Sequence, residues 1–246
     1  MTTSNPDGVF DARVAESYDR DHENTKPSQI AVTVDCLTEL ACGGSALEFA
    51  VGTGRIALPL AARGVPVSGI ELSRAMKSKL REKPGGETLD VMIGDMASVR
   101  LEGDFSLVFL VFNTICNLTT QDQQVACFRN AAAHLSPNGR FVIEVDLPPL
   151  QHLPFGETRR AFACAPDHFG IDEFDITTQR FASHHVWRKE TGSKYLTVPF
   201  RYVWPAELDL MAKLAGLELE NRWESWEKAP FTNKSTAHVS VWRKPT

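Results

Sequence analysis

The sequence has no apolar run approaching the roughly 20 residues that a membrane-spanning helix needs. Its first residues, Met1 to Gly8, are polar and small, with neither the apolar core of a secretory signal nor an Arg-rich amphipathic targeting pattern. A cytoplasmic protein with no membrane partner is expected. Cysteine is sparse: Cys36, Cys42, Cys116, Cys127 and Cys164 are odd in number, far apart, and lack any CxxC or Cys/His spacing that would frame a metal. They read as reduced thiols, mostly in the core, with no metal site. Positive charge is also short, because 26 Lys and Arg stand against 31 Asp and Glu for a net charge of −5. That is the wrong sign for neutralising many phosphates, so nucleic acid is not the expected partner. Internal repeats and low-complexity tracts are missing as well.

What is present is the composition of an ordinary globular chain, long enough at 246 residues to bury a substantial core. Short apolar runs recur with helical stretches between them: Ser45 to Val51, Val65 to Ile70, Leu89 to Ile93, Phe105 to Phe112 and Arg140 to Val145. The run Leu107-Val108-Phe109-Leu110-Val111 does not alternate polar with apolar, as expected of a strand covered on both faces. A doubly wound α/β sheet follows.

Helices are expected over Ile30 to Leu40, Arg55 to Arg63, Ser73 to Glu82 with Ser73 as N-cap, and Thr120 to about Leu135. Thr120-Gln121-Asp122-Gln123 has the form of a capping box, and Pro137-Asn138-Gly139 is read as the turn into the next strand. After Asp146 the alternation stops. Roughly 50 residues of different texture follow, in which Asp175 to Arg180, Ser183 to Lys189 and Lys194 to Trp204 read as antiparallel strands, with a turn at Thr191-Gly192-Ser193. Pro205 then opens a helix to about Ala215, and strands near Leu217 to Trp226 and Ala237 to Trp242 end the chain. Two consecutive strands with no helix between them close the sheet with an antiparallel hairpin. The expected organisation is one domain, 1–246: an N-terminal helical segment over 1–44, a cofactor-binding core over 45–146 and 205–246, and an inserted substrate cover over 147–204.

Glu48-Phe49-Ala50-Val51-Gly52-Thr53-Gly54 stands at the end of the first strand, where a glycine-rich turn lets a ligand approach the backbone. Gly52-x-Gly54-x-x-Ala57 also fits a dinucleotide fingerprint, and Glu71 lies at a spacing where either cofactor's ribose is gripped. Charge separates the two readings. Glu48, four residues before the first glycine, suits a cofactor carrying an ammonium group and would repel a pyrophosphate. Gly94-Asp95-Met96 adds a third carboxylate at the same sheet edge, suited to accept from an exocyclic amine.

Together these pieces resemble the class I S-adenosylmethionine-dependent methyltransferases, over roughly residues 10 to 244. The resemblance rests on ExxxGTG (Glu48 to Gly54), Gly69-Ile70-Glu71-Leu72-Ser73, Gly94-Asp95-Met96, Phe112-Asn113-Thr114-Ile115-Cys116-Asn117-Leu118 and His134-Leu135-Ser136-Pro137-Asn138-Gly139-Arg140-Phe141. It implies a Rossmann-like seven-stranded sheet that binds S-adenosylmethionine and releases S-adenosylhomocysteine. Residue by residue, it implies that Gly52 and Gly54 pass the methionine part, with Ala50, Thr53 and Arg55 in the same loop. Glu71 would hold the ribose, Leu72 the adenine face, and Asp95 with Met96 the adenine edge. Ala15-Glu16-Ser17-Tyr18-Asp19 looks like the family's N-terminal AxxYD segment, whose tyrosine folds over the cofactor. Glu48 and Ala50 depart from the commoner Asp and Gly.

Phe112, Asn113 and Asn117 follow the fourth strand, where an acceptor would meet the methyl group, and Tyr18, Asn117 and His185 are the candidate catalytic groups. His184-His185, Trp187, Tyr202 and Trp204 fall in or next to the insertion; the alternative for each is an ordinary sheet with surface histidines and core aromatics. His22 and Asp146 carry the same two readings, and Trp223 and Trp226 are expected to pack the hairpin. The missing Asn-Pro-Pro-Tyr sequence argues against nucleobase methylation of the kind that uses it. A small-molecule acceptor, methylated on N, O or C, is the expectation, in a monomer or homodimer. Two alternatives stay open at this stage, a nicotinamide-dependent oxidoreductase and a non-catalytic cofactor-binding scaffold.

Overall fold

The computed structural model describes residues 7–21, 27–189 and 192–246. His22 and Thr191 lie outside the described residues. Two short helical turns, α1 (Ala12–Ala15) and α2 (Tyr18–Asp21), precede α3 (Pro27–Ala41). An alternating run follows: β1 (Ala46–Phe49), α4 (Ala57–Ala62), β2 (Val67–Glu71), α5 (Arg74–Arg81), β3 (Asp90–Ile93), β4 (Phe105–Leu110), α6 (Gln121–His134) and β5 (Leu135–Asp146). Then come β6 (Arg159–Cys164), β7 (His168–Asp175), β8 (Arg180–Lys189) and β9 (Gly192–Arg201), before α7 (Pro205–Leu214), β10 (Glu218–Trp223) and β11 (Ala237–Arg243) close the chain.

Seven strands form one sheet in the order β10-β11-β5-β4-β1-β2-β3. From β5 to β3 all neighbours are parallel, while β11 runs antiparallel between β5 and β10. This is the Rossmann-like sheet with a terminal antiparallel hairpin. The central strands are apolar throughout because both faces are covered: Leu47, Phe49, Val108 and Ile143 pack on one side with Phe128, Phe141 and Trp242, and Leu107, Phe109 and Val142 pack on the other with Val34, Leu37 and Ile56. Reversal of strand order between β1 and β4 opens a crevice at the carboxyl edge, the place where ligands bind in open α/β sheets.

Local chemistry fixes the helix starts. Ser73 Oγ accepts from Met76 N, and Thr120 and Gln123 cap one another reciprocally at α6. Pro137-Asn138-Gly139, expected as a turn, lies inside β5, where Asn138 takes a left-handed φ of 64° and the β4/β5 register shifts. The strand absorbs the turn residues as an irregularity.

The insertion departs further from expectation. Its sheet has four strands in the order β6-β7-β8-β9, all antiparallel. Asp175 to Arg180, expected as a strand, is instead the hairpin corner between β7 and β8, where the Asp175 carboxylate accepts from Thr177 N, Thr177 Oγ1 and Thr178 Oγ1. Arg201 at the end of β9 ties this sheet to the core. Its guanidinium donates to Glu207 Oε1 (2.6 Å), to Gln179 Oε1 (3.2 Å) and to Gln124 of α6, so the charged pair is buried and fully partnered. Among the described residues no helix is long and apolar enough to cross a membrane.

Candidate active site

The first site feature is the loop after β1. Ala50 adopts a left-handed φ of 54°, as do Gly52 (58°) and Gly54 (79°), so the chain doubles back and presents backbone rather than side chain to the crevice. Ala50 therefore occupies a conformation that a residue with a Cβ rarely takes, which explains why glycine is the commoner choice there. Gly52 N donates to Glu71 Oε2 (2.7 Å) and Ser73 N donates to Glu71 Oε1 (2.8 Å). One carboxylate thus joins the ends of β1 and β2. A carboxylate offers about four lone pairs, so beyond these two donors and the Leu72 N–H Glu71 keeps acceptor capacity for a hydroxyl. Burial raises the Glu71 carboxyl above its ordinary range, against the backbone donors at Ser73 and Gly52.

Glu48 is 3% exposed at the end of β1. Burial pushes its carboxyl well above the usual range, opposed by the Ala57 backbone N–H and the Arg55 charge. Its Oε2 has no hydrogen-bond partner among the described residues. A buried carboxylate oxygen left unpaired is costly, and a cationic donor arriving in the crevice relieves that cost. The residues present therefore fit a ligand that carries an ammonium group, vicinal hydroxyls and an exocyclic amine. For the last, Asp95 Oδ1 accepts from Ala97 N just past the end of β3, and Leu72, 48% exposed, follows the end of the neighbouring strand β2. Met96 is buried in the core below.

The N-terminal segment lies across this crevice. Thr53 Oγ1 donates to Asp19 Oδ1 (2.6 Å), Ser73 Oγ donates to the Phe10 carbonyl (2.6 Å), and Arg74 N donates to Asp7 Oδ1 (2.8 Å). Burial raises the Asp19 carboxyl, but the hydrogen bonds from Lys83 and Thr53 outweigh it and hold the group below its ordinary range. The Tyr18 ring meets Phe10 edge-on, and Arg55 sits 5.9 Å from Tyr18 and 3.7 Å from the Phe112 ring. Tyr18, Arg55 and Phe112 make one continuous layer.

Phe112 and Asn113 both adopt left-handed φ (53° and 60°), an arrangement that needs support. Glu144 supplies it: Oε2 accepts Phe112 N (2.9 Å) and Oε1 accepts Trp226 Nε1 (2.9 Å). Asn113 and Asp146 pair reciprocally, with Asn113 Nδ2 donating to Asp146 Oδ2 (2.8 Å) and Asp146 N donating to Asn113 Oδ1 (2.6 Å). Sequence reasoning missed Glu144, which interrupts the apolar run Phe141 to Val145, and that polar interruption is the available signal. Trp226 does pack, as expected, but its indole N–H also locks Glu144.

Next to Asn113 and Asp146 opens a cavity of about 600 Å³ between the sheet edge and the inserted strands. Asp146, Asp172, Ser183, His185, Tyr202 and Trp204 are on its wall, with Phe162, Phe174, Phe181 and Phe200 supplying the apolar part. The structure brings Asn113 and His185 to this cavity, and Cys116 from the turn after β4, whereas Asn117 is not part of the wall. His184 faces the other side of its strand, against Thr197.

Residues 46–139 match a family described as a methyltransferase domain, Methyltransf_25. The CcbJ methyltransferase of Streptomyces caelestis is 35% identical, superposes with a TM-score of 0.86, and the match covers 97% of this chain and 98% of that one. The chain belongs to the class I S-adenosylmethionine-dependent methyltransferases. A cypemycin N-terminal methyltransferase from a Streptomyces species is 24% identical over 236 residues, 95% of this chain and 96% of that protein. The dTDP-3-amino-3,6-dideoxy-alpha-D-glucopyranose N,N-dimethyltransferase of Streptomyces fradiae is 30% identical over 148 residues, 58% of this chain and 56% of that protein. With the family shown, the oxidoreductase and scaffold readings fall, and the cofactor of this methyltransferase is S-adenosylmethionine.

Proposed function

We propose that this methyltransferase acts on an amine nitrogen of a small natural-product acceptor. The observation that carries the reading is the cavity itself: two carboxylates, Asp146 and Asp172, stand among six aromatic rings. Aromatic faces and carboxylates together favour a cation, and an amine is the methyl acceptor that arrives as one. The relatives named for peptide N-termini and amino sugars act on amines too, which supports the same choice over oxygen or carbon.

In this reading Glu48 takes the cofactor's ammonium, Gly52, Thr53 and Gly54 pass its methionine chain, and Glu71 holds its ribose. Leu72, Asp95 and Met96 receive the adenine, while Tyr18, Ala50, Arg55, Phe112 and Asn113 close the site around the sulfonium. When bound, the cofactor supplies an electrophilic methyl group whose carbon–sulfur bond breaks as the acceptor bonds to carbon. The protein's part is to align the two partners and exclude water, from which much of the acceleration can come. Residues 147–204 act as the substrate cover and the described residues 7–21 of the N-terminal helical segment lie over the cofactor crevice, within a single domain.

Calorimetric titration with S-adenosylmethionine, S-adenosylhomocysteine and NADH tests the cofactor assignment; both sulfur ligands bind and NADH does not. Methyl transfer is then assayed by mass spectrometry on matched amines and alcohols: amino sugars and peptides with a free N-terminus against their hydroxy counterparts. Methylation of the alcohols alone would overturn the amine reading.

A further inference from the structure

The inserted sheet carries a line of polar side chains joined by hydrogen bonds. The β7/β8 register pairs Asp172 with Ser183, Gly170 with His185 and His168 with Trp187. With side chains alternating along each strand, Asp172, His168, Ser183, His185 and Trp187 share one face. Gly170 leaves a gap in that face. A Cβ there would lie 2.2 Å from the Phe162 ring, so the missing side chain is what lets Phe162 approach His185, with ring centroids 5.1 Å apart. His168, His185 and Trp187 stand with ring planes within 7° of parallel.

His168 Nε2 lies 3.1 Å from His185 Nδ1, His185 Nε2 lies 3.3 Å from Ser183 Oγ, and Ser183 stands directly across from Asp172 in the β7/β8 register, where its hydroxyl favours the charged carboxylate. An ionised carboxylate only accepts, so the Ser183 hydroxyl donates to Asp172. With that proton committed, His185 Nε2 donates to Ser183 Oγ. A neutral His185 then accepts at Nδ1, and His168 Nε2 is the donor. If Asp172 takes up a proton, the three hydrogen bonds have an equally consistent reversed order, running from Asp172 to His168. Asp172, Ser183 and His185 are on the cavity wall. His168 is half-buried, off that wall, and follows the exposed residues Pro166 and Asp167.

We propose that Asp172 accepts the proton of the bound acceptor ammonium and that Ser183, His185 and His168 pass it out of the cavity; this rests on the amine reading above. An ammonium has no lone pair. Loss of N–H to Asp172 frees that pair, which forms the new N–C bond while the C–S pair goes to sulfur. One ammonium and one sulfonium yield one methylated ammonium, one S-adenosylhomocysteine and one proton, and that proton must leave each turnover.

The surroundings suit the role. Arg160 on β6 pairs in register with Asp172, and His184 favours its charge, while Glu173 points to the opposite face toward Arg159 and His184. Lys194 on β9 lies 5.2 Å over the Trp187 ring, and Asp146 and His152 are the titratable groups elsewhere in the cavity wall. Burial raises the Asp172 carboxyl against the Ser183 hydrogen bond and the Arg160 and His184 charges, which makes it a better base than an exposed carboxylate.

The test has one arm that needs no acceptor. In the S-adenosylhomocysteine complex, imidazole nitrogen NMR shows His185 held as the Nε2–H tautomer, and Asp172→Asn and Ser183→Ala each mix the tautomers, whereas Thr197→Val on the opposite face changes nothing. A His185 tautomer indifferent to both variants overturns the proposal. In the kinetic arm, on the first amine of the panel to be methylated, Asp172→Asn lowers kcat by about 100-fold and moves the acidic limb of the pH profile. His168→Gln lowers kcat with KM unchanged, and added imidazole restores part of it. An unchanged acidic limb with intact cofactor binding also overturns the relay. Failure of S-adenosylhomocysteine to bind, or methylation of alcohols only, overturns the underlying function instead.

Discussion

The seven-stranded sheet and the inserted four-stranded sheet are built on opposite rules. In β1 all four side chains are buried, and in β4 five of six are, because helices cover both faces. In β6 five of six residues are exposed, and β7 and β9 alternate, because one face looks into the cavity and the other into solvent. The first sheet spends its side chains on packing and presents its ligand groups only at strand ends. The second has few core obligations and can place Asp172, Ser183 and His185 along the strands themselves. In the proposed function, cofactor chemistry is therefore tied to loops at the ends of the packed strands, and acceptor chemistry to a face that substitution can change without unfolding the frame.

That contrast can be broken most sharply in the core. Phe141→Ala removes a fully buried ring packed against Phe128 and Trp242 and costs about 3–5 kcal/mol in urea unfolding, whereas Ile171→Ala on the exposed face of β7 costs about 0.5 kcal/mol or less. Equal costs would mean that the inserted sheet buries its outer face in some assembly. At the junction, Arg201→Ala leaves Glu207 without its buried partner and destabilises by about 3–5 kcal/mol. Restoration of stability by the paired Glu207→Gln change checks that the charge is the cause.

Within the cofactor region, Glu71→Ala strips the acceptor from Gly52 N and Ser73 N, and calorimetry is expected to show S-adenosylhomocysteine affinity reduced about 100-fold with the fold retained. An effect of similar size comes from pH. His238, wholly buried on β11, is held down to about 4 by burial and by the Arg222 charge. Between that value and the unfolded 6.5 the unfolded chain binds the extra proton, so stability is lost as pH falls through this window and the loss is complete below about 4. His238→Gln removes that dependence, up to about 3 kcal/mol, from the difference curve. The smallest change is Ala50→Gly, which relieves the left-handed Cβ and raises stability by about 1 kcal/mol, read as a higher urea midpoint.

Legibility followed the same divide. The strands β1 to β5, the caps at Ser73 and Thr120 and the terminal hairpin could be read because periodicity and capping are local properties of the chain. Glu48, Glu71 and Asp95 could be placed at one edge because each stands at or just past the carboxyl end of a strand. In the insertion, the sequence pattern of Arg159–Cys164 and His168–Asp175 gives no strand signal, and that of Asp175 to Arg180 predicts a strand although its threonines fold onto the Asp175 carboxylate. A half-exposed antiparallel sheet has a weak apolar signal, and its pairing is set by partners far along the chain.

By itself the sequence determined the doubly wound frame, the glycine-rich loop and the acids at the strand ends, since these depend on neighbours a few residues apart. Only the tertiary structure decided that Glu144 holds Phe112 in its left-handed turn across 32 residues, and that Asn113 and Asp146 pair across 33. It also decided that Asp172, Ser183, His185 and His168 form one line. Those contacts join groups whose separation along the chain bears no relation to their distance in space, and that distance exists only once the sheets have formed.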